Sequence, residues 1–191
     1  PILAAEYIGF LKRLSLAKGL RFLNHPEDIL TCLDKKRCKP LLDGGDIPVT
    51  PLLSPGVTNY DELIYTMNEM RAYQVFIKPS LGSGAAGVIA FRLNPKNSET
   101  VMYTSSMLSR DGLFNTKRMR RITSLEETKD VINKILVQDA IVEQWVPKAT
   151  HNGIGYDLRV VWLFGKIAFI VPRFSKSPIT NLHLNNMAGL F

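Results

Sequence analysis

The sequence predicts an α+β fold built on antiparallel sheet. Segments with helical and strand periodicity alternate irregularly along the chain, and several of the strand candidates occur in hairpin-like pairs. No internal repeat or low-complexity tract is present. With 191 residues, 46% of them hydrophobic, the chain can form one sizeable core or two small lobes that share one.

The N-terminal part is predicted to be mainly helical. Apolar side chains at helical spacing predict an amphipathic helix from about Ala4 to Ala17. A second helix begins at Asn24-His25-Pro26, where a proline in the first turn costs no hydrogen bond. We expect it to continue through Asp34-Lys35-Lys36 and to stop at Gly44-Gly45. Prolines within Ile47–Leu53 indicate a short edge strand.

Capping patterns predict the two remaining helices. Thr58, followed three residues later by an acidic residue, indicates the start of a helix over roughly Tyr60–Arg71. Ser124 with Glu127 forms a capping box for a helix that ends near Val137.

The other periodic segments are strand candidates, bounded by turn residues. They are Gln74–Lys78, Val88–Arg92, Val101–Thr104, Lys117–Arg121, Ala140–Val146, Asp157–Phe164 and Lys166–Phe174. Gly165 separates the last two, which indicates a tight hairpin.

The net charge of +7 favours anionic partners. Nucleic acid is not the expected partner, because the sequence has no helix-turn-helix, zinc finger or aromatic RNA-binding signature. The basic run Lys117–Arg121 has no interleaved aromatic residues and is explained by a solvated or phosphate-facing strand. A small, phosphate-rich ligand would account for the charge equally well.

Membrane and secretory signals are not found in the sequence. No apolar run approaches the roughly 20 residues that span a bilayer. The segment Pro1–Tyr7 has no basic residues before an apolar block, so no signal peptide is predicted. We therefore expect a cytoplasmic protein with no membrane partner. Cys32 and Cys38 are too few for a metal site and are expected to be reduced, although a disulfide is conceivable.

The first candidate site combines Lys78 with the loop Gly82-Ser83-Gly84-Ala85-Ala86-Gly87. Small residues let backbone N–H groups approach phosphate oxygens, and the preceding lysine can place an ammonium group beside them. The lysine precedes the glycines and a strand follows them, so neither the GxxxxGK[ST] loop nor the dinucleotide fingerprint fits. A flexible turn is the alternative.

Two further segments carry candidate residues. Glu143-Gln144-Trp145-Val146 closes an apolar strand and could present a backbone carbonyl and N–H to an adenine edge, although an ordinary buried strand explains it too. Alternation places Asp157 and Arg159 on one strand face. They could form a surface salt bridge worth under ~1 kcal/mol or hold ribose and phosphate. Arg173 and Asn181-Leu182-His183-Leu184 follow.

The order of these segments resembles the ATP-grasp enzymes. The chain resembles the branch that contains the ribosomal-protein glutamate ligase and, more closely, an uncharacterised bacterial ATP-grasp family. The resemblance covers the chain from about Asn24 to His183. The segments that carry it are Asp34-Lys35, Lys78-Pro79 with GSGAAG, VEQWVPKA, YDLRVV, and Arg173 with SPITNLHL.

The resemblance implies a role for each matching position. Lys35 and Lys78 would contact the phosphates of ATP beneath the Gly82–Gly87 loop, and the segment from Glu143 to Val146 would form the hinge that meets adenine. Asp157 would lie near the ribose. The catalytic residues would be Arg159 and Arg173, facing the γ-phosphate or an acyl phosphate, and Asn181 would approach nucleotide and substrate from the second lobe.

The implied activity is that of an ATP-dependent carboxylate–amine or carboxylate–thiol ligase that acts through an acyl-phosphate intermediate. Its partners would be ATP and a small carboxylate or peptide substrate. The cofactor Mg²⁺ is also implied, with its ligands expected beyond residue 191 and none within the chain. A nucleotide-binding module of the same fold without turnover is the alternative.

The resemblance also implies a division of the chain. Residues 1–23 would be a remnant or linker helix from an N-terminal domain, residues 24–142 the central lobe, and residues 143–191 the hinge and the start of a truncated C-terminal lobe. Antiparallel sheets in the two lobes would clasp the nucleotide, and the fold is expected to be incomplete at both ends.

Overall fold

The structure, a computed structural model, describes residues 2–53, 56–184 and 186–189. These residues form five α-helices and two antiparallel sheets, which confirms the α+β class. The three-part division of the chain stays a prediction, and its outermost residues, Pro1, Leu190 and Phe191, lie outside the described residues. None of the described helices is both long and apolar enough to span a bilayer.

Three helices occupy the N-terminal part: α1 (Ile2–Ser15), α2 (Pro26–Leu33) and α3 (Lys35–Gly44). The proline at the start of α2 is at a first-turn position, as predicted, and the His25 ring caps this helix by accepting the Glu27 N–H at 3.4 Å. Cys32 and Cys38, which lie on α2 and α3, carry free thiols.

The prediction of one continuous helix through Asp34 is wrong. Asp34 is extended, with φ −92° and ψ 102°, and it divides α2 from α3. Its side chain accepts the Lys36 N–H at 3.0 Å, so it caps α3, and its backbone forms a β-bridge with Leu81. Capping and the bridge together favour the break over helix continuation.

The other two helices are α4 (Tyr60–Glu69) and α5 (Leu125–Leu136). Ser124 caps α5, as predicted, by accepting the N–H of the third helical residue. In α4 the cap lies one residue after the predicted Thr58, because Asn59 accepts the Glu62 N–H at 3.0 Å. The Glu62 carboxylate in turn accepts the Thr58 N–H at 2.8 Å.

The first sheet has five strands in the order β4-β3-β2-β1-β5, and every neighbouring pair is antiparallel. Its strands are β1 (Gln74–Pro79), β2 (Ile89–Leu93), β3 (Thr100–Ser109), β4 (Gly112–Ile122) and β5 (Ala140–Gln144). The predicted edge strand over Ile47–Leu53 is reduced to one bridge between Leu52 and Glu143 of β5. Two prolines in that segment lack the N–H groups that a longer ladder would need.

The main core lies between one face of this sheet and helices α4 and α5. Val75 and Ile77 of β1 point into it with Phe91 of β2, and Leu63 of α4 and Ile132 of α5 close it from the helix side. All five side chains are fully buried. The helices leave the opposite face of the sheet for contacts with the second half of the chain.

The second sheet has four strands in the order β6-β7-β8-β9. They are β6 (Thr150–His151), β7 (Ile154–Leu163), β8 (Lys166–Ser175) and β9 (Met187–Ala188). The predicted hairpin at Gly165 is confirmed, since Phe164 and Gly165 have φ of 49° and 78°, the combination that tight hairpin turns require. Ile179 and Leu184 then pack against Ala90 on the face of the first sheet opposite α4 and α5.

Candidate functional site

Lys78 points into the space between the two sheets. Residues of β1 alternate, so Val75 and Ile77 enter the main core while Phe76 and Lys78 lie on the opposite face. Phe76 packs against the cluster formed by Ala90, Ile179 and Leu184, and the Lys78 ammonium lies 5.2 Å from the centroid of the Phe76 ring. The sheet geometry therefore directs the Lys78 side chain into the cleft.

Two lysines converge on the buried carboxylate of Glu143. Glu143 lies opposite Phe76 in the register of β5 and β1, and 4% of its side chain is exposed. One carboxylate oxygen is paired with Lys78, and the other accepts hydrogen bonds from Lys39 at 2.5 Å and from the Thr50 hydroxyl at 2.9 Å. Burial alone would raise the pKa of Glu143, but the nearby Lys78 and Lys39 ammonium groups hold it below its ordinary value.

Lys35 adds a third ammonium group to this cluster. Its Nζ donates to the carbonyl oxygens of Pro79 and Gly82, each at 3.0 Å, which ties α3 to the start of the glycine-rich loop. Burial and the positive charge of Lys78 lower the pKa of Lys35. Lys35 therefore lies close to the Lys78 ammonium without pairing with Glu143, and a bound anion would relieve the repulsion between these two lysines.

The glycine-rich loop contains several residues with left-handed backbone and a run of N–H groups without partners among the described residues. Gly82, Gly84 and Gly87 have φ of 138°, 69° and 69°, and Ala85 is also left-handed at 62°. Among the described residues, the N–H groups of Ser83, Gly84 and Ala85 donate no hydrogen bond. Successive free N–H groups in such a turn form a concave site for anions.

Two of the backbone N–H groups in the predicted hinge, Glu143–Val146, form hydrogen bonds within the protein. The Gln144 N–H donates to the Pro51 carbonyl at 2.9 Å and the Trp145 N–H to the Gln74 carbonyl at 3.0 Å, so these two donors are occupied. Among the described residues the N–H of Val146 donates no hydrogen bond, and Val146 is 53% exposed. The Trp145 ring packs on Phe76, with centroids 5.3 Å apart.

Asp157 and Arg173 form a fork-like ion pair across β7 and β8. The Arg173 Nε and Nη2 atoms donate to the two Asp157 oxygens at 2.6 and 2.8 Å, and the Lys148 ammonium lies 3.1 Å from Asp157 Oδ2. The Thr180 hydroxyl also donates to that oxygen. Burial raises the pKa of Asp157, but the hydrogen bonds from Arg173, Thr180 and Lys148 outweigh it and lower the pKa.

Two predicted residues lie outside these clusters. Arg159 is on the same face of β7 as Asp157, but it is exposed and joins no ion pair within the described part of the chain. The Asn181 side chain accepts the His183 N–H at 2.9 Å and so caps the short 3-10 helix Leu182–Leu184. His183 lies close to the loop, 3.8 Å from where a Cβ on Gly84 would be.

Lys39 and Thr50 are site residues that the sequence analysis missed. Lys39 lies four residues after Lys35 on α3, so both side chains project from one helix face, a spacing visible in the sequence. Thr50 gave no such signal, because the segment around it was predicted as an edge strand. Within residues 2–53, 56–184 and 186–189, no three His, Cys, Asp or Glu side chains gather as metal ligands.

Comparison of the chain with protein-family models, with curated proteins and with solved structures finds no match in any of the three.

Proposed function

We propose that the cleft between the two sheets binds ATP, with the triphosphate on the lysine cluster and the glycine-rich loop. The observation that carries this proposal is the pairing of Lys39 and Lys78 with one buried carboxylate, Glu143, close to a third lysine, Lys35, that is bonded to the start of the glycine-rich loop. Among the described residues, three successive N–H groups of that loop donate no hydrogen bond. Lysine ammonium groups and oriented N–H groups are the donors that phosphate oxygens require.

The aromatic surface at the other end of β1 supports an adenine site. Phe76 and Trp145 form a partly buried apolar wall between the sheets, and the free N–H of Val146 follows directly along the chain. A planar base can stack on such a wall while its edge accepts a hydrogen bond from the backbone. Since β1 rises about 3.3 Å per residue, Gln74 and Lys78 are roughly 13 Å apart, enough for a base at one end and phosphates at the other.

We further propose an ATP-grasp fold and a ligase activity. The resemblance of five ordered segments and the presence of antiparallel sheet on both sides of the cleft support this proposal. ATP would supply the phosphoryl group that activates a carboxylate for attack by an amine or thiol. Arg173, held by Asp157, would position charge near the transferred group, and the exposed Arg159 on the same face is free to join it.

The described residues provide no cluster of side chains that fits Mg²⁺, so no catalytic step is assigned to the metal. The second candidate function, a nucleotide-binding module without turnover, uses the same cleft and the same lysine cluster. Release of ADP in the presence of Mg²⁺, a carboxylic acid and an amine would separate the two, since the module would bind ATP and leave it intact.

Calorimetric titration with ATP tests the proposal. Lys78→Ala should weaken ATP binding by about 100-fold or more, because a charge-assisted contact to phosphate is lost. The fold should survive, since Glu143 keeps its bonds to Lys39 and Thr50. Lys96→Ala, in an exposed turn after β2, is the matched control. Equal ATP affinity in the Lys78→Ala and Lys96→Ala variants would contradict the proposal.

A further inference from the structure

A second cleft lies at the Gln74 end of β1, between the two halves of the chain. Its volume is about 490 Å³, within the range of pockets that hold small molecules. The first sheet, the segment after β5 and the end of β8 all contribute to its walls. Its lining residues are Gln74, Arg92, Tyr103, Trp145, Pro147, Lys148, Gly155, Ser175, Lys176, Ser177 and Pro178.

The walls of this second cleft are strongly cationic. Arg92, Lys148 and Lys176 line it, and none of the lining residues is acidic. Lys148 is paired with Asp157, but the same carboxylate also neutralises Arg173. The cleft and its immediate surroundings therefore carry four cationic side chains and the one carboxylate of Asp157. This leaves a net positive charge in a partly enclosed space.

Two neighbouring side chains, those of Trp145 and Gln74, orient the Arg92 guanidinium. Its guanidinium lies over the Trp145 ring, 5.3 Å from the centroid, and its Nη2 donates to the Gln74 side chain at 3.4 Å. An arginine that is oriented by an aromatic ring loses less freedom when it binds a planar anion, and its fork matches carboxylate or phosphate oxygens. Lys176 is exposed at the opposite wall, and the Ser177 hydroxyl adds a polar group beside it.

We infer that the second cleft binds a small molecule with two or more negative charges, either a polycarboxylate or a phosphorylated compound. Two cationic walls need two anionic groups to be satisfied, and a cleft of this volume admits a metabolite of that size. The second cleft lies away from the lysine cluster around Lys78, but it shares Trp145 with the proposed base site. The inference goes beyond the proposed nucleotide site, because anion binding by Arg92 and Lys176 does not require ATP to bind at the lysine cluster.

Fluorescence of Trp145 provides a local readout. The chain has two tryptophans, so a Trp162→Phe background leaves Trp145 as the only one, and an anion that contacts Arg92 should change its emission. Citrate and inorganic pyrophosphate serve as the probes. Saturable binding of either supports the inference, and the tighter of the two identifies carboxylate or phosphate as the preferred chemistry.

Charge-removing variants decide whether the signal comes from the second cleft. Arg92→Gln and Lys176→Gln should each weaken binding of the better probe by about tenfold or more, whereas Lys166→Gln, at the exposed hairpin end of β8, should leave it unchanged. The inference is wrong if neither probe binds, or if all three variants bind equally well. It is also wrong if the cleft variants lose ATP affinity while their affinity for citrate and pyrophosphate is unchanged.

Discussion

At the scale of single residues, Glu143 organises the candidate nucleotide site. A buried carboxylate is costly unless it is paired, and here Lys78, Lys39 and Thr50 satisfy both of its oxygens. The same contacts hold the two ammonium groups at fixed positions in the cleft. The site is thus charged and ordered before any ligand enters, which lowers the entropy cost of binding an anion.

A second residue, Asp157, is expected to matter for ATP binding through the groups it holds. Asp157→Asn removes the charge that fixes Arg173 and Lys148, and charge-assisted hydrogen bonds contribute roughly 1.5–3 kcal/mol. We expect ATP affinity to fall by about tenfold or more. Asp61→Asn is the control, because the Asp61 side chain is 85% exposed and its partner Lys129 is 3.5 Å away. Equal calorimetric affinities in the two variants would count against a role for Asp157.

At the scale of elements, the glycine-rich loop depends on one close approach. A Cβ on Gly87 would lie 2.7 Å from Cγ of Pro79, the residue that ends β1, and Gly87 also has a left-handed φ of 69°. The Gly87 N–H donates to the Asn115 side chain at 3.0 Å, which fixes the end of the loop to β4. Glycine at this position therefore sets the shape of the loop.

Gly87→Ala should destabilise the protein more than Gly165→Ala does. Both residues have φ between 69° and 78°, so both variants incur the left-handed strain of roughly 1–2 kcal/mol, but a Cβ on Gly165 meets nothing within 4 Å. The clash with Pro79 should add about 1–3 kcal/mol at Gly87. Thermal denaturation of the two variants measures the difference. Equal melting temperatures would mean that the loop accommodates the extra atom and is not fixed by packing.

Most elements could be predicted from the sequence, because capping residues and periodicity act locally. The sequence showed where α5 begins and where the β7–β8 hairpin turns, since Ser124 and Gly165 determine these features within a few residues. It did not show the break at Asp34, because the bridge to Leu81 that accompanies the break comes from a residue 47 positions away. The site residue Thr50 was missed for the same reason, since its partner is Glu143.

At the scale of the whole molecule, the candidate site depends on three distant regions of the chain. Helix α3 carries Lys35 and Lys39, β1 carries Lys78, and β5 carries Glu143, and sheet order alone brings β5 beside β1. The sequence could show that each segment carries charge, but no local pattern predicts which face of the sheet α4 and α5 leave uncovered. The face opposite these two helices is where Lys78 and Glu143 meet the second half of the chain.

Crystallisation of the chain with a non-hydrolysable ATP analogue and Mg²⁺ would test the central claim most directly. The account predicts that phosphate oxygens lie within hydrogen-bonding distance of the Lys78 ammonium and of N–H groups in the Gly82–Gly87 loop, with the base beside Trp145. A nucleotide bound elsewhere, or phosphates that contact none of these groups, would contradict it.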